Sequence, residues 1–473
     1  MVQSCFGGSL DKRLVNRHSI LVRNMFSDSS TSILSISKTR SDQIGSYRFL
    51  RNKSVTEDIL ITEMQHRCSK AVKGKTVLCL HDSSEANFRN HRNRIAPDDP
   101  LLGYLDDSKG LGFKMHLSVA IDAKSCFPYG VSNLLLWKRD REEASKQQKE
   151  ADTEPKVVSK TIESNESNKW DLGCKKSNEV LSAADRIIHV QDREGDIYDQ
   201  IVNFGTSPKE FYIIRSRWDR QTEGDEKLWD AVSESEVIGS YNLFISGDSH
   251  SKRKPRTAKM EIRVRKVNIK RPDNCDDKKL PLYTTVTMVE TKEIDAPAGV
   301  TPLLWRLLTD CAVSTLEDAL QIIEWYECRW YIEELFRVVK KENLNIEGSE
   351  LESGKGLRNL GILAIDTAVK LFQYYIVSNI EEGETLESIS SFNENELSCL
   401  TQINTTLEGK TEKQKNPYNP KTILWTRWIL ARLGGWKGYK SQRKAGMTTI
   451  IKGIERFYLI YEGFMIGKDV CTR

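Results

Sequence analysis

No run of about 18 apolar residues occurs anywhere in the 473-residue sequence, so no membrane-spanning helix is expected. The opening stretch MVQSCFGGSLDKR lacks an apolar h-region, and a signal peptide is not expected there. The ten cysteines include no C-x-x-C pair and no zinc-finger spacing. They are expected as buried small hydrophobes or thiols in a reducing cytoplasm. Charge of one sign is also scarce: 71 Lys+Arg against 67 Asp+Glu leave a net +4, which permits a polyanionic partner without requiring one.

What is present fits a globular chain. Hydrophobic residues at 38% can build a sizeable core, and the length suggests roughly three domains. Residues 1–70 carry 11 Lys+Arg against 6 Asp+Glu, so the small positive excess is gathered at the front. This segment is expected to be helical, with Leu14, Ile20, Leu21 and Met25 on one apolar face. In Ser46-Tyr47-Arg48-Phe49-Leu50-Arg51, cations alternate with aromatics, so Arg48 and Arg51 are candidates for phosphate contacts; a helical bundle with solvated arginines fits equally.

Two short apolar runs are expected to be buried strands that end in aspartate. Thr76–Leu80 leads to His81-Asp82, and Ile187–Val190 leads to Gln191-Asp192. A strand's carboxyl end is where α/β active sites collect, although a lone Asp there more often caps a turn. Asp192 opens the charged cluster Asp192-Arg193-Glu194-Gly195-Asp196, which would be costly after a buried strand without partners or a metal. Residues 138–178 are charged and poor in apolar side chains, and read as a solvated insert. Period-two alternation over 240–292, as in Met260, Ile262 and Val264, predicts an all-β insertion.

A long helix is expected from about Ser314, capped by S-T-L-E with Glu317 in the capping box. At roughly 100° per residue, Tyr326, Arg329, Glu333 and Lys340 fall within about 60° of one another, with Trp330 and Arg337 alongside. Cys328, Ile332, Leu335 and Val339 would occupy the opposite, buried side. Most charged helix faces are simply solvated ion pairs. Aromatics sharing the face with arginines suit phosphate clamping and base stacking instead. If Asp82, Asp192 and Glu333 converge, they form a hard-oxygen set that favours Mg²⁺ or Mn²⁺, with two ions suited to phosphodiester chemistry. Further on, Met447, Ile450, Ile454, Phe457, Tyr461 and Phe464 recur at helical spacing, a face for the core or for a partner helix.

These residues resemble a known family. Tyr326-x-x-Arg329-x-x-x-Glu333-x-x-x-x-x-x-Lys340 resembles the Y-R-E-K signature of the IS4-family DDE transposases, with every spacing kept. Asp82 in LHDSS and Asp192 in DREGDIYD are similar to the family's two aspartate motifs. GSYRFLRN, TPLLWRLLTD and ILARLGGWKGYKSQRKAG extend the likeness over nearly the whole chain.

The resemblance implies an α/β fold: an RNase H-like catalytic core over 71–365 with an all-β insertion at about 225–300. A helical DNA-binding domain (1–70) and a C-terminal helical dimerisation domain (366–473) would flank it. It implies a catalytic and metal-binding triad of Asp82, Asp192 and Glu333 holding Mg²⁺, or Mn²⁺ in its place, two per site. It also implies cut-and-paste transposition: nicking at the transposon end, hairpin formation and opening, and strand transfer into target DNA. Tyr326, Arg329, Lys340 and Arg215 would hold phosphates, and Trp305, with Trp330 nearby, would stack a flipped base; taken alone, Trp305 would read as core. The implied partners are double-stranded inverted-repeat ends, target DNA and a second copy of the chain, in a bacterial cytoplasm. The family's leading stretch before GGSLDKRLVN is shorter here, and shortened relatives can act as inhibitors. A non-catalytic DNA-binding copy is therefore the second expectation. A stand-alone RNase H-like nuclease, which needs no hairpin clamp, is the third.

Overall fold

The computed structural model describes residues 6–471 except 7, 97, 106–109, 140–164, 205–206, 246, 248–253, 276, 378–391, 440–441 and 443. The protein is a mixed α/β chain whose contacts divide it into two units. One comprises Met1–Ala71, Ser83–Ala151 and Glu333–Arg473; the other comprises Val72–Asp82 and Asp152–Ile332. Among the described residues, no helix is long and apolar enough to cross a membrane.

In the first unit, α1 (Lys12–Asp28), α2 (Arg40–Arg51) and α3 (Glu57–Ala71) pack around α9 (Gly354–Ile376). Both α1 and α2 begin at side-chain caps, Asp11 and Thr39, whose oxygens accept from the first free backbone N–H groups. The buried face of α1 is His18, Leu21, Val22, Met25 and Phe26, while Leu14 and Ile20 are only partly covered. The expected stripe is therefore rotated, because His18 packs edge-on against Phe6 and takes a core position.

α9 is apolar nearly all round and is correspondingly buried. Several of its polar side chains are anchored individually. Asn359 donates to the Leu50 and Val55 carbonyls at 2.9 and 3.3 Å, and Asp366 accepts from Arg67 and Lys370 at 2.7 and 2.9 Å. The antiparallel pair β3 (Leu111–Asp122) and β4 (Pro128–Trp137) lies against α3 and α9. α10 (Glu394–Leu407), α11 (Ile423–Leu433) and α12 (Met447–Cys471) complete this unit. α11 and α12 cross where Gly453 meets the Leu430 carbonyl; a Cβ there would stand 1.9 Å from that oxygen, so only glycine fits. Met447, Ile450, Ile454 and Phe457 are buried as the spacing predicts.

In the second unit, β1 (Thr76–Asn87), through its residues 76–80, pairs in parallel with β5 (Arg186–Gln191). β5 pairs in parallel with β6 (Glu210–Arg215). Val77, Leu78, Cys79 and Leu80 are no more than 1% exposed, as a parallel strand covered on both faces requires. β10 (Leu304–Thr309) joins β6 antiparallel, and β9 (Tyr283–Ile294), β8 (Arg256–Lys270) and β7 (Val237–Ile245) follow in an antiparallel run. Met260 and Ile262 are buried, as the alternation predicts. The β-rich stretch is not all-β, because α6 (Leu228–Ser233) lies within it.

Four expectations about local structure are corrected. β1 does not end at Asp82 but runs on to Asn87, since Ala86 and Phe88 are also core residues. Most of the charged stretch, 140–164, lies outside the described residues, but its end forms α4 (Asn168–Val180), which buries Trp170 and Cys174. The capping box is Thr315 with Asp318, one residue later than expected, because the Thr315 hydroxyl is the acceptor at the N-cap. The long helix is two: α7 (Leu316–Glu327) and α8 (Trp330–Arg337), followed by a π turn at Val338–Glu342.

Candidate active site

In the second unit two aspartates stand just past the paired stretch of two adjacent parallel strands. Leu80 of β1 is registered with Val190 of β5, and Asp82 and Asp192 each lie two residues beyond that pair. Both carboxylates are partly exposed. Parallel strands project the residues at their carboxyl ends toward one rim, so two acids here share one entrance.

At the break between α7 and α8, Tyr326 and Arg329 reach these acids. Around Cys328 and Arg329 the backbone tightens: Arg329 N–H bonds to the Tyr326 carbonyl, Tyr331 to Cys328 and Ile332 to Arg329, at 3.0 to 3.1 Å. A uniform rotation per residue therefore fails across this point. Arg329 Nη1 stands 3.4 Å from Asp82 Oδ2. The Tyr326 hydroxyl donates toward Asp192 Oδ1 at 3.5 Å. Tyr326 and Arg329 are 5% and 8% exposed, so they are inserted rather than solvated, contrary to a simple polar stripe.

The surroundings of Tyr326 are cationic and aromatic. Trp305 of β10 packs edge-on to its ring at a centroid separation of 5.8 Å, and the Arg329 guanidinium carbon is 6.0 Å from the ring centre. Burial raises the Tyr326 phenol above its ordinary pKa and the Asp192 charge adds to this, while Arg329 and Arg215 pull it down. Tyr326 thus remains a protonated donor at neutral pH. Arg215 ends β6, opposite Leu307 of β10. Trp330, at the start of α8, is 60% exposed, which leaves its ring face open to solvent.

The remaining signature residues belong to the first unit. Glu333 is partly exposed in the first turn of α8. Ile332 and Leu335 of this helix, and Val339 in the π turn after it, are buried, as predicted. Arg337 is exposed and paired with Glu334 at 3.0 Å. Lys340 stands in the π turn, with its ammonium 3.4 Å from Ser84 Oγ and 3.6 Å from Glu347 Oε1. Sequence reasoning missed Ser84 and Glu347; the only available signal was that Ser84 follows Asp82 by two positions. On α2, Arg48 and Arg51 point outward while Phe49 and Leu50 fill the core, and Arg51 lies 3.7 Å from Glu352.

The charge cluster after β5 resolves without a metal at most of its members. Asp196 is buried and receives Arg220 Nη2 at 2.6 Å, together with the backbone N–H groups of Arg217 and Trp218. Glu194 pairs with Lys169 at 3.0 Å. Asp196 is thus a structural acid, and Asp192 is the member left at the rim. No protein-family model matches the chain.

Proposed function

We propose that the protein is a DDE-type DNA transposase with an RNase H-like core, which excises and inserts DNA with defined ends. One observation carries the reading. The two aspartates just past the registered pair Leu80–Val190 of adjacent parallel strands are met by the Tyr and the Arg of a single signature, Arg329 on Asp82 and Tyr326 on Asp192.

The donor set fits hard divalent cations: it is all carboxylate, and both aspartates are accessible from the rim. Asp82, Asp192 and Glu333 would hold Mg²⁺ or Mn²⁺, two per site. When bound, the metal would supply Lewis-acid activation of the attacking oxygen and stabilisation of the leaving one.

The chain's own groups would handle the DNA. Hydrolysis of one phosphodiester frees a 3′-OH at the transposon end. That hydroxyl attacks the opposite strand, forming a new P–O bond as the flanking strand leaves, and the hairpin is then reopened by water. Arg329, Arg215 and Lys340 would clamp the phosphates as charged donors, and Tyr326 would donate a neutral hydrogen bond. Trp305, already against Tyr326, would stack the base displaced at the tight hairpin turn. Arg48 and Arg51 on α2, with Arg337 and Trp330, would extend contact along the duplex. A second copy of the chain would hold the paired end.

The test is cleavage of a plasmid bearing the inverted repeats that flank the gene, with Mg²⁺ or Mn²⁺, comparing wild type with Glu333→Gln. Excised and hairpin products from wild type alone support the reading. Binding of the ends with no products from either protein overturns it in favour of a non-catalytic, inhibitory DNA-binding chain.

A further inference from the structure

Behind the two aspartate strands lies a second cluster, of a different chemical character. The register of β1 and β5 sets Cys79 beside His189, and His81 follows Cys79 on the same face of β1. α4 covers this face and contributes Cys174, whose sulfur is 3.8 Å from His81 Nε2. The ligand atoms of Cys79, His81 and His189 lie within 4.8 Å of one another. Cys79, His81 and His189 are fully buried, and Cys174 is 4% exposed.

We infer that Cys79, His81, Cys174 and His189 form a structural Zn²⁺ site that ties β1, β5 and α4 together. This goes beyond the transposase reading and does not depend on it. Two sulfurs and two imidazole nitrogens are the donor set of a closed tetrahedral zinc centre, and they are too soft to select Mg²⁺.

The surrounding groups are arranged as supports for ligands. His189 Nε2 is 2.7 Å from Asn178 Oδ1, one helical turn beyond Cys174. A carbonyl oxygen can only accept, so Nε2 carries the proton and Nδ1 offers its lone pair to the cluster. Gln191 Nε2 donates to Cys174 Sγ at 3.0 Å, a bond that favours a thiolate. Two thiolates cancel the charge of Zn²⁺, so the loaded centre is neutral and can be buried at little electrostatic cost. His81 Nε2 and His189 Nδ1 now share a proton at 2.8 Å. Tetrahedral Zn–N bonds need about 3.4 Å between them, so the rings must part by roughly half an ångström.

Strand alternation keeps this centre apart from the carboxylates: Cys79 and His81 face one side of β1, and Leu80 and Asp82 face the other. The ligands come from β1, β5 and α4, at Cys79-x-His81 spacing, and for that reason no zinc-finger pattern is visible in the sequence.

The full-length chain, expressed in zinc-supplemented medium and dialysed against EDTA, should retain about one zinc per chain by elemental analysis. Cys174→Ser and Cys79→Ser should lose it. Cys68→Ala, a buried cysteine of the other unit, and Asp192→Asn should keep it. Wild-type protein grown in cobalt medium should show thiolate-to-cobalt charge-transfer absorption, a readout that needs no variant to fold. Wild type without zinc after dialysis and without that absorption overturns the inference, as does a Cys174→Ser chain with undiminished zinc.

Discussion

Arg329 Nη1 lies 3.4 Å from Asp82 Oδ2, a contact between two partly desolvated side chains of which Asp82 is the more exposed. Without a divalent cation, the arginine is the positive charge that faces the aspartate. In the proposed transposase, a metal held by Asp82 would free that charge for a phosphate.

This relationship separates two kinds of loss. Asp82→Asn should abolish all cleavage, by about 10³-fold or more, since several kcal/mol of metal stabilisation disappear at once. Trp305→Ala should spare the first nick and reduce hairpin formation, by roughly 5- to 150-fold for a stacking contribution of about 1–3 kcal/mol. Denaturing gels that resolve nicked, hairpin and excised strands distinguish the two. Equal loss of every product with Trp305→Ala would argue that this ring merely supports Tyr326.

Arg48 and Arg51 make a salt-dependence prediction. If each neutralises one phosphate, Arg48→Ala should weaken binding of any duplex. It should also lower the slope of log affinity against log salt by about 0.9. Fluorescence anisotropy at several salt concentrations measures that slope. An unchanged slope would return Arg48 to the solvated surface of α2.

Asp192 and Asp196, four residues apart, should behave oppositely. Arg220→Met leaves the buried Asp196 carboxylate without its cation and should cost about 3–5 kcal/mol in urea unfolding. Asp192→Asn, at the partly exposed rim, should change stability by no more than about 0.5 kcal/mol while removing activity. A large stability loss with Asp192→Asn would mark it as structural too.

His18 should set an acid limit to stability. Burial lowers its pKa from 6.5 to about 4. The unfolded chain therefore binds a proton that the folded chain refuses, and stability falls as pH drops from 6.5 toward 4. Between pH 7 and 5 the loss should be on the order of 2 kcal/mol. Asp310, raised by burial to about 6, acts in the opposite sense, its contribution lost as pH rises through that value. Comparing wild type with His18→Leu cancels Asp310 and isolates the histidine. Identical pH slopes for the two proteins would exclude it.

Much of the site was legible as one-dimensional pattern. The two mostly apolar runs before Asp82 and Asp192 are buried parallel strands because so many apolar side chains in so few residues are costly anywhere else. Ile332, Leu335 and Val339 are buried because helical periodicity is a local property. The alternation of Met260 and Ile262 was visible for the same reason. These features follow from covalent geometry and the hydrophobic effect acting over a few residues.

Tertiary structure decided the rest. The tight turn at Cys328–Arg329 broke the expected single helix, and it follows from the fit of Tyr326 and Arg329 to two acids over 130 positions away in sequence. Arg220 on Asp196, and Cys174 against His81, join residues that no spacing rule connects. Trp170 and Cys174 lie in a stretch that composition marks as solvated, yet α4 buries them against the sheet. Sequence determined which segments had to be covered and which acids follow the buried apolar stretches. Only long-range packing could choose their partners, because a buried charge or thiol is satisfied by whatever the fold brings within hydrogen-bonding distance.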